Sequence, residues 1–401
     1  MRRITELDGI RTLAVAAVVA SHLAPFKSIG MLGQFGRAGV DAFFVLSGYL
    51  ITTILMQLKV QPHPYRVFYA RRFLRIIPPY ALLLLLVYGG GALHHDLFEP
   101  QKFIGQIFFL RCFLHVGEII PHIRAMIQTN TIPGLFGRWA PSSEHDYPWL
   151  PIAGSLVPTW SLSVEEWFYV LWAPAVLVLG RRNLGIVAAA TCVFGFCLRL
   201  YLGANSLNLF TCFDILATGA LLALWMGHRR SLSPRQTGQI DALLNVLTLT
   251  LLPAYFILAY FHRGNFQRTL FAFGTAGFFA FLIRNSGGKN PISRALRFGP
   301  LVYTGVISYT LYLFHLSAYL VVRSLLSSPA PPPGREWLVA VASIATAWIF
   351  AALSWRYFES PILGYKHQFE ALVLPREAKT EATDKTGQHP VHQEALQESA
   401  Q

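Results

Sequence analysis

Charge is scarce in this chain. Only 13% of its 401 residues are Asp, Glu, Lys or Arg, where a soluble domain carries about a quarter. With 54% hydrophobic residues, that deficit argues against an ordinary water-soluble domain and places the chain among membrane proteins. Acid is the scarcer sign, with 20 Asp and Glu against 33 Lys and Arg and a formal net charge of +13. No basic stripe interleaved with surface aromatics accompanies that excess, so no nucleic-acid partner is expected. The excess belongs instead in the cytoplasmic loops of a membrane protein. Cysteine is also sparse: Cys112, Cys192, Cys197 and Cys212 form no CxxC pair and read as small buried hydrophobes. There is no P-loop, no GxSxG elbow and no HExxH helix. His94, His95, His115, His122 and His145 cluster without a ligand spacing, so no metal is expected.

Long apolar runs are what the sequence has instead. A spanning helix needs about 20 mostly apolar residues. Candidates lie at 8–26, 38–57, 77–93, 159–180, 185–203, 209–227, 240–261, 266–284, 300–322 and 336–357. The first resembles a signal peptide, but it holds Arg11, lacks a small-residue cleavage site and is followed by many more runs. The expected fold is therefore all-α, a polytopic membrane bundle of about ten helices. Arg2 and Arg3 precede the first run, and basic clusters follow the second, fourth, sixth and eighth. All these clusters fall on one side if the ten runs span and the shorter run 103–116, interrupted by Arg111, does not. Residues 103–116 then form a half-helix or re-entrant segment within a long outer loop, whose part 117–157 reads as structured. Both termini are expected in the cytoplasm. Residues 1–360 form the membrane domain, and 361–401, polar and charge-mixed, read as a disordered tail.

Ionisable residues inside spans are costly and are functional candidates. Arg11 and His22 both lie in the first run. Their spacing of eleven residues is about three helical turns, so they share a face to within about 20° and stand roughly 16 Å apart along the axis. One stripe of one helix thus carries a guanidinium near the cytoplasmic side and an imidazole near the outer side. The alternatives are a snorkelling arginine and an interfacial histidine. Around them stand LDGIRTLAVAAVVASH, GRAGVDAFFVLSGYLIT, RRFLRIIPPY, PTWSLSVEEWFYVLW, ISYTLYLFHLS and WRYFESPI, in that order. Together, from about residue 4 to 362, these resemble the acyltransferase 3 family of integral-membrane O-acyltransferases. That family transfers acyl groups, often acetyl, to sugars and other exported molecules.

The resemblance implies a division of labour. His22 is the expected catalytic base, with Glu165, the first acid after SLSV, as the carboxylate that orients it. Glu165 and Glu166 face about 100° apart on a helix, so only one points fully at a given partner. Arg72 and Arg75, spaced i, i+3, join Arg11 as expected ligands of the coenzyme A phosphates, because guanidinium forks match phosphate geometry. Arg71 is assigned to topology alone. Asp8, three residues before Arg11, either orients it or begins the helix. Asp41 either lines the acceptor site or begins its helix. Ser47 is a packing and hydrogen-bonding residue, and His315 either lines a central cavity or is a satisfied buried histidine.

The implied activity is transfer of an acyl group, acetyl foremost, from cytoplasmic acyl-CoA to a hydroxyl of a surface carbohydrate or lipid-linked glycan. The implied setting is a bacterial inner membrane and its lipids. The rival is a transporter or flippase of a glycan or lipid without acyl chemistry, which would have no need of the Arg11–His22 stripe.

Overall fold

The computed structural model describes residues 3–23, 32–93, 100–113, 156–202, 209–261, 266–326, 335–365 and 368. The outer-loop part 117–155, the five clustered histidines and nearly all of the tail lie outside the described residues.

The elements, in order, are α1 (Thr5–His22), α2 (Leu32–Leu58), α3 (Pro64–Leu93), α4 (Pro100–Ile107), a 3₁₀ turn (Leu110–Phe113), α5 (Thr159–Val178), α6 (Arg181–Leu202), α7 (Leu209–His228), a 3₁₀ turn (Arg229–Ser231), α8 (Pro234–Tyr260), α9 (Gln267–Arg284), α10 (Pro291–Leu296), α11 (Gly299–Val306), α12 (Ser308–Leu326), α13 (Arg335–Ser354), a π turn (Trp355–Glu359) and α14 (Ser360–Gly364). No strand is found among the described residues. Among the described residues, ten helices of 18 or more residues match the ten apolar runs. Seven are long and apolar enough to cross a membrane by themselves. The other three carry charge as well: Glu6, Asp8 and Arg11 within α1, Glu165 and Glu166 within α5, and Arg268 and Arg284 at the two ends of α9. α4 has eight residues, far short of the ~20 a span needs, so the described part of the segment, 103–113, is a short helix followed by a 3₁₀ turn.

Two boundaries differ from expectation in ways that matter. α3 begins at Pro64, not at 77, so the basic residues before the third apolar run sit on a helix. Pro78 and Pro79 lie inside α3. They remove the backbone donors that would serve the carbonyls of Leu74 and Arg75, yet packing carries the helix through them. The run 300–322 is broken at Ile307 into α11 and α12. Helical structure also continues past residue 360, through Gly364.

Local signals explain several ends. Ser233 and Gln236 form a reciprocal capping box with Pro234 in the first turn of α8. Asn290 caps α10, again with proline next. Lys59 donates to the carbonyls of Val176 and Leu179 at 3.0 and 2.6 Å, satisfying the end of α5 with a cation. The basic Lys59 therefore serves as a carbonyl cap at a helix end.

α7 and α2 form the centre. Of α7's span, 78% is buried against protein, compared with 11% for peripheral α8. The two central helices touch backbone to backbone: a Cβ on Gly48 would collide with the Leu216 carbonyl, and one on Gly219 with the Val45 carbonyl. Small residues permit such close approach inside membranes, where dispersion drives helix association. Gly48→Val is expected to destabilise by about 1–3 kcal/mol through overpacking, read as a lower unfolding temperature in detergent, while Gly185→Ala, whose added Cβ would meet nothing within 4 Å, does not lower it.

A second feature locks the same centre. Asp41 of α2 is fully buried and accepts from Arg268 of α9 at 2.6, 3.0 and 3.2 Å. Beside it, Arg199 of α6 pairs with Asp214 of α7 at 2.5 Å and also reaches Thr269 and the Thr211 carbonyl. Asp41 thus neither begins its helix nor faces an open site; it pins α2 to α9. Asp41→Ala strands a buried guanidinium and is expected to cost about 3–5 kcal/mol. The Asp41→Leu/Arg268→Leu double variant should restore most of that stability, as measured by thermal unfolding.

Candidate functional site

Three helices place polar side chains on a common cavity through their own periodicity. On α5, Ser161, Glu165 and Tyr169 recur every four residues and so form one stripe. On α12, Tyr309 and Tyr312 line it, and His315 follows on the same face beyond the cavity. On α3, Arg71, Arg72 and Arg75 lie along the turn that precedes the two prolines.

Together with α1 and α2 they enclose a cavity of about 690 Å³, within the range of small-molecule sites. Its lining along α2 runs from Val40 to Leu58, roughly 27 Å at 1.5 Å per residue. Arg11, Arg71, Arg72 and Arg75 supply its cationic wall and Glu165 its carboxylate. Phe43, Phe44, Leu162 and Leu313 are among its apolar lining.

Each charge is positioned by contacts its neighbours dictate. Arg11 donates to Asp8 at 2.6 Å, across one turn of α1. Asp8 is buried and also accepts from Arg3 at 2.8 Å. Asp8 therefore orients Arg11. The Arg72 guanidinium lies over the Tyr169 ring, 5.1 Å from its centroid, and over Phe68 at 5.9 Å. A guanidinium stacked through its face directs its N–H donors sideways, in its own plane. Glu165 accepts from Ser47 at 3.0 Å and from the Tyr169 hydroxyl at 2.7 Å.

Beyond Tyr312 the polar chain continues. Ser161 and Tyr312 share a 2.6 Å hydroxyl contact, and Tyr312 packs on the His315 ring at 5.9 Å. His315 Nδ1 lies 2.6 Å from the Tyr312 carbonyl, and its Nε2 lies 3.2 Å from His22 Nδ1. His22 Nδ1 is also 2.9 Å from the Val18 carbonyl.

The structure thus groups Arg11, Arg72, Arg75 and Glu165 on one cavity and brings His315 to His22. Glu165 is directed to Ser47 and Tyr169, so the carboxylate–imidazole contact expected from the sequence is not the one made. Arg71, assigned to topology alone, lines the cavity with its neighbours. The sequence reading missed Ser161, Tyr169, Tyr309 and Tyr312 as lining residues. The i, i+4 and i, i+3 recurrences of polar groups within apolar helices are the signal that finds them.

The architecture is that of a polytopic helical membrane protein with a deep, one-sidedly cationic cavity. A family model described as "Acyltransferase domain" matches residues 4–353, and the chain belongs to that family, the acyltransferase 3 family. The peptidoglycan O-acetyltransferase OatA of Listeria monocytogenes is 29% identical over 90% of this chain and 56% of its own length. The O-acetyltransferase OatA of Staphylococcus aureus is 25% identical over 90% of this chain and 57% of its own. A putative peptidoglycan O-acetyltransferase of Bacillus subtilis, YrhL, is 28% identical over 90% and 55%. The chain therefore spans about half the length of these curated relatives. No solved structure matches it.

Proposed function

We propose that this protein moves an acyl group, acetyl foremost, from cytoplasmic acyl-CoA to a hydroxyl of a surface carbohydrate across the bilayer. The observation that carries the reading is the cavity itself: it follows α2 from Val40 to Leu58 and is lined by four arginines beside apolar side chains. Arg11, Arg72 and Arg75 take the phosphates of coenzyme A as charge-assisted, bidentate donors. The pantetheine arm follows the apolar lining toward Phe43 and Tyr312. Glu165 sits among these cations as the site's acid, holding Ser47 and Tyr169 in register. His22, some 16 Å up the same helix face as Arg11, takes the acceptor hydroxyl proton. The acceptor oxygen bonds to the acyl carbon, the C–S bond breaks, and the thiolate leaves and receives the proton from the imidazolium.

The names of the relatives suggest a peptidoglycan sugar as acceptor, and a glycan presented at the outer face fits the same geometry. The setting this requires is a bacterial cytoplasmic membrane, with the basic helix ends and both termini inside, residues 1–360 forming the catalytic body and lipid surrounding it.

Purified protein in liposomes, given acetyl-labelled acetyl-CoA and soluble peptidoglycan fragments, is expected to release free thiol and label the fragments in equal amounts. Movement of fragments across the membrane with no thiol released would overturn the reading in favour of a transporter.

A further inference from the structure

The hydrogen bonds of the two histidines fix where their protons sit. A carbonyl oxygen can only accept. His315 Nδ1 lies 2.6 Å from the Tyr312 carbonyl, so that nitrogen carries the hydrogen. His22 Nδ1 lies 2.9 Å from the Val18 carbonyl and therefore carries one as well. In the neutral pair His315 Nε2 is then bare, and it faces the His22 Nδ1–H at 3.2 Å. That hydrogen is shared between two acceptors, and His22 Nε2 is the ring's unprotonated nitrogen. His315 is 2% exposed, whereas His22 is only half-buried at the end of α1. The inner imidazole is enclosed, and the outer one is presented.

We propose that His315 is the positioning residue for His22: by accepting from Nδ1 it holds His22 in the tautomer whose Nε2 receives the acceptor's proton. It also solvates the imidazolium that then forms. This rests on the acyl-transfer reading above, and it gives the orienting role first expected of Glu165 to a second imidazole. The Val18 carbonyl by itself is a weaker orienter. It already accepts the backbone hydrogen bond of α1, and it lies on the same helix, so it fixes the ring against its own backbone but not against α12. The contact with His315 fixes the ring across the α1–α12 packing. It is in turn held by Tyr312, which reaches the cavity wall at Ser161. The base is thereby coupled in position to the channel that delivers the thioester.

Three variants separate positioning from packing. His315→Leu fills the space without an acceptor. His315→Gln keeps an acceptor oxygen able to meet the His22 Nδ1–H. Tyr319→Phe, on the same helix, controls for α12 surface changes. His315→Leu is expected to lower kcat by about 10–10²-fold, with the donor KM unchanged within about twofold. His315→Gln should recover at least half of that loss on a logarithmic scale. In parallel, ¹⁵N-histidine spectra of the wild-type protein should show His22 protonated at Nδ1 and bare at Nε2, and that population should fall in His315→Leu. Wild-type kcat in His315→Leu, equal loss in the Leu and Gln variants, or a His22 hydrogen on Nε2 in the wild type would each overturn the proposal. The spectra need no substrate. An inactive wild type with the Nδ1–H tautomer therefore refutes the acyl-transfer reading alone, and an active wild type with the other tautomer refutes only the role of His315.

Discussion

Replacing His22 with alanine is expected to lower acyl transfer by about 10²–10⁴-fold, the range over which a positioned general base contributes. The variant removes the imidazole that stands at the end of α1 and leaves the arginine cavity untouched. Its predicted signature is therefore a fall in kcat with little change in the KM for acyl-CoA. Folding is expected to survive, because His22 is half-buried and its described partners are a carbonyl of its own helix and His315. The decisive measurement pairs thiol release with acetyl-CoA titration in the purified variant. A His22→Ala protein that labels acceptor at the wild-type rate would remove the base from the proposed scheme and leave the acceptor hydroxyl to some other group.

Arg72→Ala is expected to act in the opposite way, on the donor. Its guanidinium is held through its face by Tyr169 and Phe68, and it also stands near the buried Glu165 and Glu166, so unfolding temperature is measured beside KM to separate a donor effect from lost charge balance. A charge-assisted hydrogen bond contributes about 1.5–3 kcal/mol, which predicts a KM for acyl-CoA raised by roughly 10–10²-fold. Arg72→Lys should recover only part of this, since an ammonium is a point charge without the planar fork. Dephospho-coenzyme A donors locate the contact further. If Arg72 binds the 3′-phosphate, wild type and variant should handle such donors alike; if it binds the pyrophosphate, the variant's defect should persist. Arg11→Ala is a less clean test, because Asp8 would then be left to Arg3. An unchanged donor KM in both Arg72→Ala and Arg75→Ala would assign the cationic wall to some role other than phosphate binding.

Glycine and buried ion pairs place the stability of the molecule in the α2–α7–α9 centre, away from the cavity. The Gly48 contact and the Asp41–Arg268 pair should therefore move unfolding temperature more than donor KM. The arginine and histidine variants should do the reverse. That separation is itself a check on the architecture, since with a merely lipid-facing cationic patch the arginine variants would leave donor KM unchanged.

Much of this was written in the linear sequence, for definite reasons. Membrane spans announce themselves because every backbone polar group must be satisfied within the helix while the side chains face lipid, which demands about 20 apolar residues in a row. The ten runs and the short segment near 103–116 follow from that demand. The shared face of Arg11 and His22 follows from helical pitch. The ordered motifs around them marked the family, and periodicity along one helix placed Asp8 under Arg11. What one helix cannot specify is which neighbour its face meets. The stripe Ser161–Glu165–Tyr169 is legible as a stripe, but the tertiary packing alone decided that it meets Ser47 and the arginines of α3, while α12 brings His315 to His22. The start of α3 at Pro64 was decided in the same way: local rules stop a helix before paired prolines, and only contacts with the other helices carry it through and align three arginines on the cavity. Local hydrogen bonding and hydropathy act within a single segment, and so the sequence determined the segments. Partner choice depends on side chains hundreds of residues apart, and so only the folded bundle decided how the charges are paired.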